Sequence, residues 1–328
     1  MSVTILASRY NTLKNRVNLI LGNSTISAPT FGYGQAFSTN SVVGTRLAAT
    51  PSTANKVSAQ DYEDLYIDLI RTRSHQVGTS VSIDEFVIGN YETNTATADK
   101  IEEAYILGLE SLATNIIADK FTIAPANLTI VTTPTASSTR LSTVGAWTTE
   151  ISHIFTMTFA SVLARQHFFN AGGQIRMSAS VAYTGSEAKT VDWQSILNAM
   201  GTISFKAEDT ISNAGVGSGS NIGNYDLNAA YQLVYSRTGS AVYANNLYKI
   251  YAANLTPTDG TSAITFKIVF EDGRPNDPTF GIDEPVRGTF NSVISIATPN
   301  SQVTINGTIH PAVVVSPAPT GTTIRSLS

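Results

Sequence analysis

Phe168-Phe169-Asn170-Ala171-Gly172-Gly173-Gln174-Ile175-Arg176 is the stretch on which the fold turns. It reads as a tight turn feeding a long strand. Asn170 and the paired glycines Gly172 and Gly173 accept positive φ at little steric cost, so Phe168 and Phe169 anchor one strand while Ile175 begins the next. From there Ile175, Met177, Ala179, Val181 and Tyr183 alternate with Gln174, Arg176, Ser178 and Ser180. A period of two over that length predicts a strand with one buried face.

The same period recurs on both sides of the turn. Ile151, His153, Phe155, Met157 and Phe159 alternate with polar or small residues, as do Tyr231-Leu233-Tyr235 and Ile264-Phe266-Ile268-Phe270, and Phe290 to Ile296 reads as a closing strand. Such alternation predicts antiparallel sheets arranged as a sandwich. Val191 to Met200 reads as a short helix inserted between strands, and the glycine-rich run Asn213–Asn224 as a loop that is mobile or ordered by a neighbour.

Upstream of Pro125 the period is helical. Tyr10, Leu13, Val17, Ile20 and Leu21 recur at spacings of three and four, with Gly22 as a stop. Ser58 caps a second helix, with Asp61 at the capping-box position and Tyr62, Leu65, Tyr66, Leu69 and Ile70 on one face. A third runs from about Thr97 to Lys120 on the stripe Ile101, Tyr105, Leu109, Leu112 and Ile116. The fold class expected is therefore α+β: a helical docking module over residues 1–124, a β-sandwich over 125–298 and an extended tail over 299–328. The tail holds four prolines around Val313-Val314-Val315, so it is extended and is expected to dock on another subunit. The apolar faces at Tyr10, Leu13, Val17, Tyr62 and Tyr66 are candidate interface residues together with that valine run.

Composition narrows the chemistry. Of 328 residues 13% are charged, about half the usual ~25%, and Ser, Thr, Asn and Ala take their place. A neutral polar surface suits long-lived packing against neighbours, because little charge is desolvated at each contact. A net charge of -4 and no Lys/Arg cluster argue against nucleic acid or an anionic membrane as partner. The chain has no cysteine, which excludes disulfides, thiolate catalysis and most structural zinc. The opening residues lack a basic, then apolar, leader pattern, and no run of ~18 apolar residues predicts a membrane span.

Catalytic signatures fail one by one. There is no P-loop, and Gly215-Val-Gly217-Ser-Gly219 lacks dinucleotide spacing. Ser186-Glu-Ala-Lys189 matches Ser-x-x-Lys without its companion motifs. Glu150 and His153 fall on opposite faces of a strand, and His167 reads as a hydrogen-bonding strand-end residue. His75 sits at a helix C-terminus that favours a cation, and His310 lies in the tail. The acidic stretch Glu271–Asp277 with Asp283 and Glu284 is the best place for a divalent ion, but it lacks calcium-loop spacing and reads as a solvated loop. No catalytic residue, metal or cofactor is expected.

Two blocks carry a resemblance. Tyr10-Asn11-x-Leu13 with Val17, Leu21 and Gly22, then Gly32-Tyr-Gly34-Gln35 and the helix entry Ser58-Ala-Gln-Asp61-Tyr62, looks like the N-terminal pattern of virion structural proteins of tailed phages, those of cyanobacteria above all. Phe168 to Arg176 is similar to the Phe-Phe-Asn-[Ser/Ala]-Gly-Gly-x-Ile-Arg turn of the same proteins. Tyr62-Glu-Asp-Leu65 departs from the family's Asn-x-Leu at that helix. The resemblance implies a non-enzymatic virion component of the tail, neck or fibre, assembled in the host cytoplasm, with copies of itself and other virion proteins as partners. A receptor- or glycan-binding fibre module, with a host-surface glycan as partner, and a capsid decoration protein are the alternatives it leaves open.

Overall fold

A computed structural model describes residues 7–21, 59–79, 103–140, 150–159, 162–255, 262–273, 286–299, 313–316 and 323–325. The described elements are five α-helices and two antiparallel sheets, a mixed α+β fold. The chain divides into two compact units, one of residues 1–129, 166–172 and 299–310, the other of 130–165, 173–298 and 311–328.

In the first unit three helices, α1 (Ala7–Leu21), α2 (Ala59–Val77) and α3 (Glu103–Ala118), share one apolar core. Tyr10, Leu13, Val17 and Ile20 from α1 meet Tyr62, Leu65 and Leu69 from α2 and Ile106, Leu109, Leu112, Ala113 and Ile116 from α3. Spacings of three and four put each set on one side of its helix. Tyr10 and Tyr62 stack edge to face at 5.1 Å, a geometry worth about 1 kcal/mol beyond the area buried. Arg9 grips both carboxylate oxygens of Glu110, at 2.8 and 3.0 Å, and also reaches Glu103, which ties α1 to α3. The α3 stripe differs from the expected one. Ile106 and Ala113 carry burial, while Tyr105 is half-buried. The expected start near Thr97, Ile101, the Ser58 cap and the Gly22 stop lie outside the described residues.

The largest correction falls on the opening motif. Phe168, Phe169 and Asn170 do not end a strand; they are the last turn of a helix, α4 (Val162–Asn170). Adjacent aromatics that are both fully buried suit a helix end sunk in a core, where neighbours point about 100° apart, better than a strand with one wet face. The two rings meet edge to face at 5.0 Å. The amide of Ala171 closes on the His167 carbonyl at 2.9 Å and that of Gly172 on Phe169 at 3.0 Å. Gly172, at φ +87°, then stops the helix in the left-handed region, and buried Gly173 leads out. His167 accordingly lies on a helix, buried, and is no strand-end residue.

The second unit holds the sheets. One runs β1 (Leu128–Arg140), β10 (Gly288–Pro299), β3 (Gln174–Ala182), β4 (Ile203–Phe205) and β5 (Thr210–Ser212). The other runs β11 (Val313–Ser316), β2 (Glu150–Phe159), β9 (Ser262–Glu271), β8 (Leu247–Leu255), β7 (Gln232–Thr238) and β6 (Ser218–Gly219), and β12 (Thr323–Arg325) also pairs with β2. In β2 the residues Ile151, His153, Phe155, Met157 and Phe159 are buried, as the alternation requires. They stand opposite Phe270, Ile268, Phe266, Ile264 and Ser262 of β9. From β9, Phe270 meets Phe290 of β10 at 5.0 Å and Phe266 meets Phe205 of β4 at 5.2 Å, so aromatic pairs join one sheet to the other. The expected inserted helix is α5 (Ala188–Met200), and it drives fully buried Trp193 against both Phe270 and Phe290.

Three strand readings change. Tyr231 and Leu233 do not share a buried face with Tyr235, because the ladder shifts between Leu233 and Tyr235. A bulge there turns Val234 and Tyr235 inward and leaves Tyr231 46% and Leu233 42% exposed. The glycine-rich run is ordered by its own chain: Ser218 and Gly219 pair with β7, and Ser220 bridges Thr210. The valine run Val313–Val315 does not leave the chain either; it pairs with Phe159, Thr158 and Met157 of β2. β12 covers the rest of that edge, with Ile324 opposite Ile151.

Candidate functional site

The residues expected to face partners lie mostly inside. Tyr10, Leu13, Val17 and Tyr62 are 1% exposed or less, and Tyr66 packs half-buried against the same helical core. Their apolar atoms are already covered by α1, α2 and α3, so these faces hold the unit together and are not open to a neighbour. The large apolar side chains that do reach solvent from the second unit include Tyr231, Leu233 and Val242, the last 54% exposed. The sequence pattern missed Tyr231 and Leu233 because a bulge cannot be read from alternation, and Val242 because it lies on the short 3-10 turn Ala241–Tyr243, outside any strand.

The histidines are structural fixtures. Nε2 of His75 lies 2.6 Å from the carbonyl of Ala171, and burial lowers its pKa to about 4. It is therefore neutral near pH 7, contrary to the cation expected at a helix C-terminus; desolvation outweighs the helix dipole. His153 bonds Ser292 Oγ through Nδ1 at 2.9 Å and sits edge to face with Phe270, and burial lowers its pKa to about 4 as well. His310 lies outside the described residues. Lys189 of the Ser-x-x-Lys match is fully buried in an ion pair with Asp272, Nζ to Oδ2 3.0 Å, while Ser186 is exposed. That pair also takes Asp272 from the expected ion loop, and Lys249 takes Glu271 at 2.5 Å. Residues 274–285 lie outside the described part. Among the described residues no three His, Asp or Glu side chains are grouped as a metal site.

One concave feature of the second unit has polar walls. It is a cleft of about 410 Å³ between α5, the 216–218 segment and the 236–240 turn. Asp192 of α5 accepts from the Ser240 amide at 3.2 Å and from its hydroxyl, which pins the turn to the helix. The Tyr235 hydroxyl donates to the Val216 carbonyl at 2.7 Å, and burial raises its pKa, so it stays a neutral donor. Two glycines make the walls thin. A Cβ on Gly217, at φ +77°, would lie 2.3 Å from Tyr235 Oη, and one on Gly239 would lie 2.1 Å from the Tyr243 carbonyl. Arg237 lines the cleft together with Ser195, Ser218, Ser236 and Thr238. Its Nη1 is shielded from water and has no acceptor. Sequence reading missed this cleft because its three walls are far apart in the chain and carry no motif.

Comparison with protein-family models, with curated proteins and with solved structures finds no match for the chain.

Proposed function

We propose that the chain is a non-enzymatic structural component of a tailed-phage particle, in the tail, neck or fibre, acting through contacts with copies of itself and with other virion proteins. In this reading the two sheets of the second unit pack as a β-sandwich around the Phe270, Phe290 and Trp193 rings. The observation that carries it is where reactive side chains are spent. His75, His153, His167, Lys189 and Asp272 are all buried, and they serve packing. A scaffold gains from this, because enclosed polar pairs specify one arrangement of the core. The apolar Tyr231, just before β7, and Leu233 on it supply a surface for a neighbour to cover.

The test is a quantitative mass-spectrometric inventory of density-purified particles from the phage that encodes the chain. A fixed copy number per particle is expected. Presence in the lysate with absence from finished particles would overturn the reading. The cleft at Arg237 favours a second reading, a fibre module that binds a surface glycan, because a pocket lined by serines, a threonine and an arginine suits a small polar ligand.

A further inference from the structure

We propose that the cleft between α5 and the 236–240 turn binds a carboxylate-bearing sugar, a uronic acid unit of a surface polysaccharide. This deepens the glycan-binding reading and rests on it. The charge argument starts from Arg237. Lys206, Lys249, Lys267 and Arg287 each face a carboxylate of their own unit, at 3.6, 2.5, 3.2 and 2.9 Å. Among the described residues no carboxylate pairs with Arg237, although its guanidinium is drawn partly into the protein beside Tyr235. A guanidinium that lines a cleft without a carboxylate of its own is the protein group best matched to a ligand carboxylate, which its accessible nitrogens take through charge-assisted hydrogen bonds.

The rest of the cleft selects what carries that carboxylate. Ser195, Ser218, Ser236 and Thr238 are among the residues that line the same cleft, and a polar lining of this kind suits the hydroxyl-rich ring of a sugar. Asp192 lines the same space, and its oxygens are oriented by Ser240. A carboxylate there repels an anion placed beside it and accepts from sugar hydroxyls, so it sets the direction in which an acidic sugar enters. A cleft of about 410 Å³ falls within the usual size for a small-molecule site. Its walls are fixed before any ligand arrives. Gly217 and Gly239 allow backbone approaches that no other residue fits, and the Tyr235 to Val216 bond holds one rim. Preorganisation of this kind lowers the entropy lost on binding.

The experiment titrates the full chain with tetrasaccharides of glucuronic and galacturonic acid, and with the same oligosaccharides carboxyl-reduced to their neutral sugars, by calorimetry and saturation-transfer NMR. Acidic oligosaccharides are expected to bind and the reduced forms to bind about tenfold more weakly or not at all, since a charge-assisted hydrogen bond is lost. Arg237→Gln is expected to remove that preference, and Arg237→Lys to keep part of it, with the circular dichroism unchanged in both. Ser195→Ala, three residues from Asp192 on α5 and in the same lining, leaves every charge in place and is expected to weaken both forms alike. Equal binding of acidic and reduced forms, no saturation transfer at millimolar ligand, or full binding by Arg237→Gln would each overturn the assignment. None of these outcomes bears on particle membership, which the inventory reads separately.

Discussion

Nε2 of His75 donates to the carbonyl oxygen of Ala171 across 2.6 Å, joining the end of α2 to the residue that follows α4. A carbonyl only accepts, so the proton sits on Nε2 and the ring is held as one tautomer. The same helix end is bound by other backbone groups. The His75 carbonyl accepts from the Ala124 amide at 3.2 Å and from Asn127 Nδ2 at 2.9 Å, and Gln76 Nε2 donates to the Ile116 carbonyl at 2.9 Å. The Phe-Phe-Asn-Ala-Gly-Gly run is thus a helix stop seated on the helical core, with Ala171 itself part of that core.

Acid should unsettle both units over the same pH range. His75 and His153 have pKa values near 4 when folded, against 6.5 when free. The unfolded chain therefore takes up protons first as pH falls. Stability is fully present above about pH 6.5, declines as pH falls from there, and levels off below about pH 4. Each imidazole contributes on the order of 3 kcal/mol across that window. Urea midpoints measured from pH 7.5 to 4 should fall, and His153→Gln should flatten the fall. An unchanged midpoint across the range would show that the imidazoles are accessible to protons in the native state.

Gly172 tests the helix stop. A Cβ at this position would lie 2.6 Å from the Cβ of Ile123, and φ is +87°. Gly172→Ala should cost about 2–3 kcal/mol from backbone strain and overlap together. Gly215→Ala also adds a Cβ at positive φ, +68°, but meets nothing within 4 Å, and should cost about 1 kcal/mol or less. Thermal melts of the two variants separate strain from collision.

How much of this could be read from the sequence depends on what set each element. The stripes of α1 and α2 and the alternation of β2 and β10 were legible because one periodic face meets one core, whereas β9 is buried on both faces along most of its length. The turn at Phe168 was misread because glycine pairs signal a hairpin and a helix stop equally well, and only the burial of both adjacent phenylalanines distinguishes them. Leu233 escaped because a single bulge reverses the face. The cleft was invisible for a different reason: Asp192, Gly217 and Arg237 meet only after the strands have paired.

The buried pair Lys189–Asp272 should behave as a unit. With side-chain exposures of 0% and 1%, either charge left alone has no water to stabilise it. Lys189→Met should cost about 3–5 kcal/mol, whereas Lys189→Met with Asp272→Leu should recover much of that loss. A double-mutant cycle by urea unfolding gives the coupling, and additive single and double effects would mean that the two groups do not depend on each other.

The C-terminal strands make a prediction that separates folding from assembly. β11 and β12 together pair with seven residues of β2, from Phe159 to Thr156 and from Ser152 to Glu150. On its other side β2 is paired with β9 along its whole length. Truncation after Thr308 therefore leaves the backbone donors and acceptors of the outer edge of β2 bare, and a bare edge recruits other strands. The truncated chain should melt at lower temperature and form oligomers or aggregates that the full chain does not, as read by light scattering after size exclusion. Adding a peptide of residues 309–328 should suppress that association by refilling the edge. If the truncated chain keeps the full chain's size in solution and its melting temperature, the terminal strands contribute nothing to the unit, and the valine run is available to a partner after all.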